Sequence, residues 1–261
     1  MDKFFKYEKE RWEAPRLEYA ILDAGDSNFV DEYTLTYAQQ SAMDPIGDEL
    51  EAFVAEMSAV LQANNGLDVY KKDSFHGKLV LFDFQSHLYA PLICLEKSNL
   101  KIQLSPVALN TDEMRFVDYL KAYVDNHAAE LVDKSLYLLR NKSKVGMGFF
   151  EAGNFYPDYI LWIDTPETQY ISFIDPKGLM HIRPDDPKIE FYKTIKELET
   201  RLAPTADGKI VVLNSFIMSG TPASQLRQWW LMERPQREEK NVYTIDNPEC
   251  VELMIDRILG K

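Results

Sequence analysis

Cysteine is nearly missing from this 261-residue chain: there are two, Cys94 and Cys250, far apart and each among apolar neighbours. Two such residues cannot staple a small secreted domain, so buried free thiols in a reducing cytosol are expected. Histidine is almost as scarce, with four residues at positions 76, 87, 127 and 181. None has an i,i+4 partner or a paired cysteine, which excludes the usual zinc spacings. No apolar run approaches the roughly 18 residues of a membrane span. The N-terminal stretch MDKFFKYEKERWEAPRLEY is too charged for a signal peptide. There is no G-x-x-x-x-G-K-[ST] phosphate loop, no G-x-S-x-G elbow and no internal repeat. The expectation is a cytoplasmic protein with no membrane partner and no ATP site of its own.

Positive charge is also short. The chain has 29 Lys and Arg against 42 Asp and Glu, a formal charge of −13, which excludes a general nucleic-acid coat. The deficit is uneven. Residues 1–104 hold 10 basic and 18 acidic side chains, whereas residues 179–261 hold 12 and 13. A local basic track can therefore still meet DNA, helped by a metal or a partner.

The chain is long enough to bury a sizeable core, and 46 % apolar residues suit that. Residues 1 to about 45 lack clean periodicity and read as irregular structure with short elements. DELEAFVAEMSAVLQANNG is a helix, with Leu50, Phe53, Val54, Met57, Val60 and Leu61 on one face and Asn-Asn-Gly as its stop. KLVLFDFQSHLYAPLICLE and KIQLSPVAL read as strand-like runs. Asn110 then caps a helix carrying Met114, Val117, Leu120 and Val124 on one face.

SLYLLRN is a short strand followed by the basic turn KSKVGMG. YPDYILWI and QYISFID are two strands separated by DTPET. Asp186 and Pro187 open a strong helix with Ile189, Tyr192, Ile195, Leu198 and Leu202 as its inner stripe. KIVVLNSFIM is a buried strand, and helices begin at Thr-Pro in TPASQLRQWW and at Asn-Pro in NPECVELMIDRILG. The order from residue 110 is α-β-β-β-α-β-α, an α/β fold with a mixed sheet flanked by helices. The expected division is an N-terminal α+β region, 1–104, and a domain at 105–261.

The unusual residues are the aspartates at the ends of two apolar runs. If Ile163 sits opposite Tyr170 in an antiparallel hairpin around loop 164–169, then Asp158 sits opposite Asp175. Opposed side chains share a face, with Cβ atoms about 4.5–5.5 Å apart. Two carboxylates that close require a proton or a cation between them, and Mg²⁺ prefers oxygen ligands. Lys177, two residues beyond Asp175, points to the same face. Such a set suits phosphodiester hydrolysis: the metal polarises the phosphate and acidifies a water, and the ammonium meets developing charge. The peptide oxygen of Pro176 is a further candidate ligand.

Pro157-Asp158, sixteen intervening residues, then Asp175-Pro176-Lys177 resembles the PD-(D/E)XK nuclease superfamily. Its core is a helix, a three-stranded meander, a helix and a strand. QSHLYAPLICL, PVALNTDEMRFVDYLKAY, LYLLRN, GFFEAGNFYPDYILWI and ISFIDPKGL look like the C-terminal nuclease region of type III restriction enzyme large subunits and related helicase-nuclease defence proteins. The resemblance covers about residues 85–220. It implies Mg²⁺-dependent DNA cleavage (Mn²⁺ substituting) in restriction or antiviral defence, with Asp158 and Asp175 as metal ligands and Lys177 as catalytic lysine. Because no phosphate loop is present, the chain is expected to be a piece or a separate subunit acting with a helicase.

Other residues have two readings. Glu113 is either an accessory acidic ligand on the first helix or half of an Asn110-x-x-Glu113 capping box. Glu151 is a weaker third acid. Arg140, Lys142 and Lys144 either touch phosphates or form a solvated basic turn. Lys188, Lys193, Lys196 and Arg201 lie mostly off their helix's apolar stripe. Trp229 and Trp230 read as core or interface anchors ahead of base-stacking platforms. RNA stays open as a substrate. The alternatives to a nuclease are a non-catalytic module that holds DNA or assembles a complex, and a paired-carboxylate sugar hydrolase without metal.

Overall fold

The computed structural model of the chain describes residues 34–37, 46–63, 79–82, 92–95, 102–105, 107–141 and 155–261. Two compact units are present, one of Phe29–Val117 and one containing Asp118–Lys261. The first holds β1 (Thr34–Tyr37), α1 (Ile46–Ala63), β2 (Leu79–Phe82), β3 (Leu92–Leu95), β4 (Ile102–Ser105) and the first half of α2 (Thr111–Asn126). Its strands make two small antiparallel sheets, β1 with β4 and β2 with β3. Of the apolar stripe expected on α1, Leu50 is buried while Val54 is exposed. Asn110 does cap α2. Its Oδ1 accepts from the N–H of Asp112 and Glu113, and Glu113 Oε2 accepts from Asn110 N at 3.1 Å.

The second unit holds β5 (Ser135–Arg140), β6 (Tyr159–Asp164), β7 (Thr168–Lys177), α3 (Pro187–Glu199), β8 (Ile210–Ser219), α4 (Ala223–Trp230), α5 (Arg234–Glu239), β9 (Val242–Thr244) and α6 (Cys250–Leu259). They build a five-stranded sheet in the order β5-β6-β7-β8-β9. The first three strands are antiparallel; β8 and β9 run parallel to β7. This is an α/β fold on a mixed sheet. Central strands covered on both faces read as unbroken apolar runs, and β7 is buried continuously from Ile171 to Pro176.

Helix α3 forms where its start signals place it. Asp186 is extended, its side chain accepts from Lys188 N at 2.9 Å, and Pro187 occupies the first turn. It lies along β8, and its side chains bond the strand's backbone: Lys196 Nζ donates to Leu213 O and Leu213 N–H donates to Glu199 Oε2, both at 2.6 Å. Its inner stripe differs from expectation by one place. Phe191 is sealed and Tyr192 is only half-buried. The cause lies outside the helix, in Phe155, whose ring meets Phe191 edge-on at 5.8 Å and 71°. Periodicity gives the width of a stripe but not which flank finds a partner. Leu202 lies past the helix end.

Two elements were not expected, α5 and β9. Three residues are too few for any periodic signal, yet Val242, Tyr243 and Thr244 are all buried where β9 closes the sheet edge. Both cysteines are buried, as read from the sequence, and burial pushes the Cys250 thiol up to about 12. Among the described residues no helix is long and apolar enough to cross a membrane.

Replacing Phe191 by Ala should lower unfolding free energy by about 3–5 kcal/mol, measured by urea denaturation. Tyr192→Ala should cost clearly less; equal losses would contradict the stripe assignment.

Candidate metal centre at the open end of the hairpin

Strands β6 and β7 pair with Ile163 opposite Tyr170, the register read from the sequence. The turn is tighter than the six-residue loop expected. Strand pairing reaches Asp164 and Gln169, and Thr165 N–H and Oγ1 both bond Thr168 O at 2.9 Å. At the other end the last pair is Tyr159 with Ile174. Continuing the register would oppose Asp158 with Asp175 and then Pro157 with Pro176. Neither proline has an N–H to give, so the ladder ends there. The two aspartates thus stand one step beyond the last paired residues, on the face that also carries Phe173 and Lys177.

Neighbouring strands pin both chains at this point. Just past β5, Asn141 N–H donates to Asp158 O at 2.8 Å, and its Nδ2 donates to Pro157 O at 2.9 Å. On the other side, Gly220 N–H donates to Lys177 O at 2.9 Å and Leu179 N–H donates to Thr221 Oγ1 at 2.8 Å. Asp175 is buried, 5 % exposed, and its Oδ2 accepts directly from Lys177 Nζ. The same ammonium lies 5.2 Å from the centre of the Phe155 ring, a cation–π contact. Since Phe155 rests on Phe191, the buried side of α3 backs the lysine.

The electrostatics follow from that burial. Desolvation, reinforced by the Lys188 ammonium, pulls the Lys177 ammonium down to about 8, with Asp158 and Asp186 opposing. Lys177 therefore remains a cation at neutral pH. Desolvation also raises the Asp158 carboxyl, and Lys177 and Arg140 partly offset the rise. A carboxylate whose charge is disfavoured by burial gains most from a nearby cation.

Asp158, Asp175, Pro176 and Lys177 thus meet at one strand end. Glu113 belongs to the other unit, and both its carboxylate oxygens accept from Asn110, Oε1 from the side-chain Nδ2 at 2.9 Å. Arg140 pairs with Tyr159 across β5–β6, and its charge reaches Asp158. Lys142, Lys144, Glu151, His76 and His87 lie outside the described residues. Trp230 is buried and its Nε1 donates to Ile182 O at 2.8 Å, whereas Trp229 is exposed. Two contributors carried no signal that sequence reasoning used, Asn141 and Phe155; Lys188, read as a solvated charge of its helix, acts on Lys177. Asn141 follows a basic strand end, and Phe155 stands three residues before Asp158; only the folded sheet ties them to the site.

Among the described residues no cluster of three or more His, Cys, Asp and Glu side chains forms. The oxygen-only pair of Asp158 and Asp175 nonetheless fits a hard divalent cation that keeps several waters, as Mg²⁺ does. The disfavoured charge on Asp158 is what such an ion would relieve. No family model, curated protein or solved structure matches the chain.

Asp158 has a raised carboxyl in the fold. Its contribution to stability is therefore present below the unfolded value of about 3.9 and lost as pH rises through the folded value. In metal-free buffer, Asp158→Asn should gain stability relative to the parent chain between pH 3 and pH 7, read from thermal midpoints. A difference that stays flat or reverses would contradict the desolvated carboxylate.

Proposed function

We propose that this chain is a Mg²⁺-dependent DNA endonuclease with a restriction-endonuclease-like core of the PD-(D/E)XK kind at about residues 105–261. The observation that carries the reading is the β6–β7 register, which one step further would oppose Asp158 to Asp175, with Lys177 bonded to Asp175 and its charge acting on Asp158. The element order supports it: α2, the β5–β6–β7 meander, α3, then β8 parallel to β7. That is the order of the superfamily core. Work in restriction or antiviral defence beside a helicase is part of the same proposal and rests on the sequence resemblance.

Bound Mg²⁺ supplies polarisation of the scissile phosphate and a more acidic water. The Asp158 and Asp175 carboxylates would hold it, with the Pro176 peptide oxygen as a further donor. Asn141, by clasping the peptide oxygens of Pro157 and Asp158, fixes the first carboxylate's backbone. Lys177 does the second part of the work. In this structure it bonds Asp175; with that carboxylate engaged on a cation, its ammonium would be free to bond a non-bridging phosphate oxygen. There it donates as negative charge builds in the transition state. The Phe155 ring steadies the ammonium on this face. Arg140, Lys142 and Lys144 are assigned to phosphates flanking the cut.

Supercoiled plasmid incubated with the purified protein and Mg²⁺ or Mn²⁺ should be nicked or linearised. Chelation should abolish cutting, and Lys177→Ala should slow it by at least about 100-fold with the far-UV spectrum unchanged. Absence of cleavage of DNA and RNA, alone and beside an ATP-driven translocase, would overturn the enzyme reading in favour of a DNA-holding module. Cleavage of glycosides without metal would overturn it too.

A further inference from the structure

Away from the hairpin, at the sheet's other edge, β9 lies parallel to β8 with Ile217 opposite Val242 and Ser219 opposite Thr244. Ligands of α/β sheets gather beyond the carboxyl ends of parallel strands. A cleft of about 320 Å³ opens there, bounded by the start of α4, by α5 and by the segment that follows β9. That volume lies at the small end of small-molecule sites.

Its walls hold two guanidiniums, Arg234 and Arg237, and two carboxylates, Glu238 and Asp246. Arg237 belongs to the six-residue helix α5, yet is only 5 % exposed. Among the described residues its guanidinium makes one hydrogen bond, from Nη1 to Met232 O at 2.7 Å, and has no carboxylate within ion-pair distance. A guanidinium carries five N–H donors and does not lose its proton. Desolvation disfavours its charge, and none of its remaining nitrogens is both sealed and unbonded, so those donors open to solvent. Arg234 lines the same cleft; the charges of Glu233, Glu238 and Asp246 favour the Arg237 cation, and that of Arg234 opposes it more weakly. The acids nearby are already engaged: Glu238 Oε1 accepts from Arg234 Nε at 2.5 Å, and Asp246 Oδ2 accepts from Ala223 N–H at 3.0 Å.

We propose that this cleft is a binding site for a small phosphate monoester of sugar-phosphate or mononucleotide size. The planar fork of Arg237, which has no carboxylate within ion-pair distance among the described residues, matches two phosphate oxygens. Asp246 and Asn247, in the segment after β9, offer acceptors to sugar hydroxyls. The hydroxyl of Tyr243 stays protonated, its acidity held down to about 12 by burial, so it remains a donor. The cleft shares no residue with the hairpin site, and its occupancy does not depend on the nuclease reading.

The test is isothermal titration of the full chain in metal-free buffer with three probes: inorganic phosphate, a nucleoside 5′-monophosphate and a 5′-phosphorylated oligothymidine. Saturable one-to-one binding of the monophosphate, weakened at least tenfold by Arg237→Gln and by Arg234→Gln, supports the site. Arg234 lies on the outer side of α5, so its variant tests the proposal if Arg237→Gln does not fold. Preference among the probes tells whether the group arrives free or on a strand end. No saturable binding of any probe, or equal affinity in Arg234→Gln and the parent chain, overturns the proposal.

Discussion

A carboxylate buried at the end of a strand persists as an anion only with a cation beside it, and Asp175 has Lys177 two residues further along the same face. Much of the second unit holds that pair in place. The parallel partner β8 fixes the backbone through Gly220 and Thr221. Helix α3 covers the face, and Phe191 presses Phe155 under the lysine. On the far side Asn141 clasps the chain that brings Asp158. Together they preserve an acidic and basic cluster that burial alone disfavours.

The same preservation explains why the hairpin opens where it does. Pro157 and Pro176 fall opposite each other in the register, and neither can donate to the ladder. An antiparallel pair that ended in ordinary residues would continue to bond past the aspartates. Two prolines stop the pairing one step earlier and leave the carboxylates at the end of the ladder, Asp158 half-buried and Asp175 buried.

Much of this was legible in the order of residues. The register of β6 and β7 follows from matching apolar lengths on either side of DTPET, and the α3 start follows from Asp186-Pro187, because both are local signals. The capping of α2 by Asn110 is local too, and Glu113 turns out to close that box. What escaped depended on distant partners. Phe191 is chosen over Tyr192 by a ring 36 positions earlier, at Phe155. The strand β9 is buried by its neighbours rather than by any pattern of its own. Arg237 reads as a surface charge on a short polar helix, and only the fold encloses it.

The most direct measurement of the central claim is anomalous diffraction from a crystal soaked in Mn²⁺. A metal peak bound by the carboxylates of Asp158 and Asp175, lost in Asp175→Asn, is the predicted result. Soaked crystals without a peak there, or with the two carboxylates facing opposite sides of the sheet, would contradict the account.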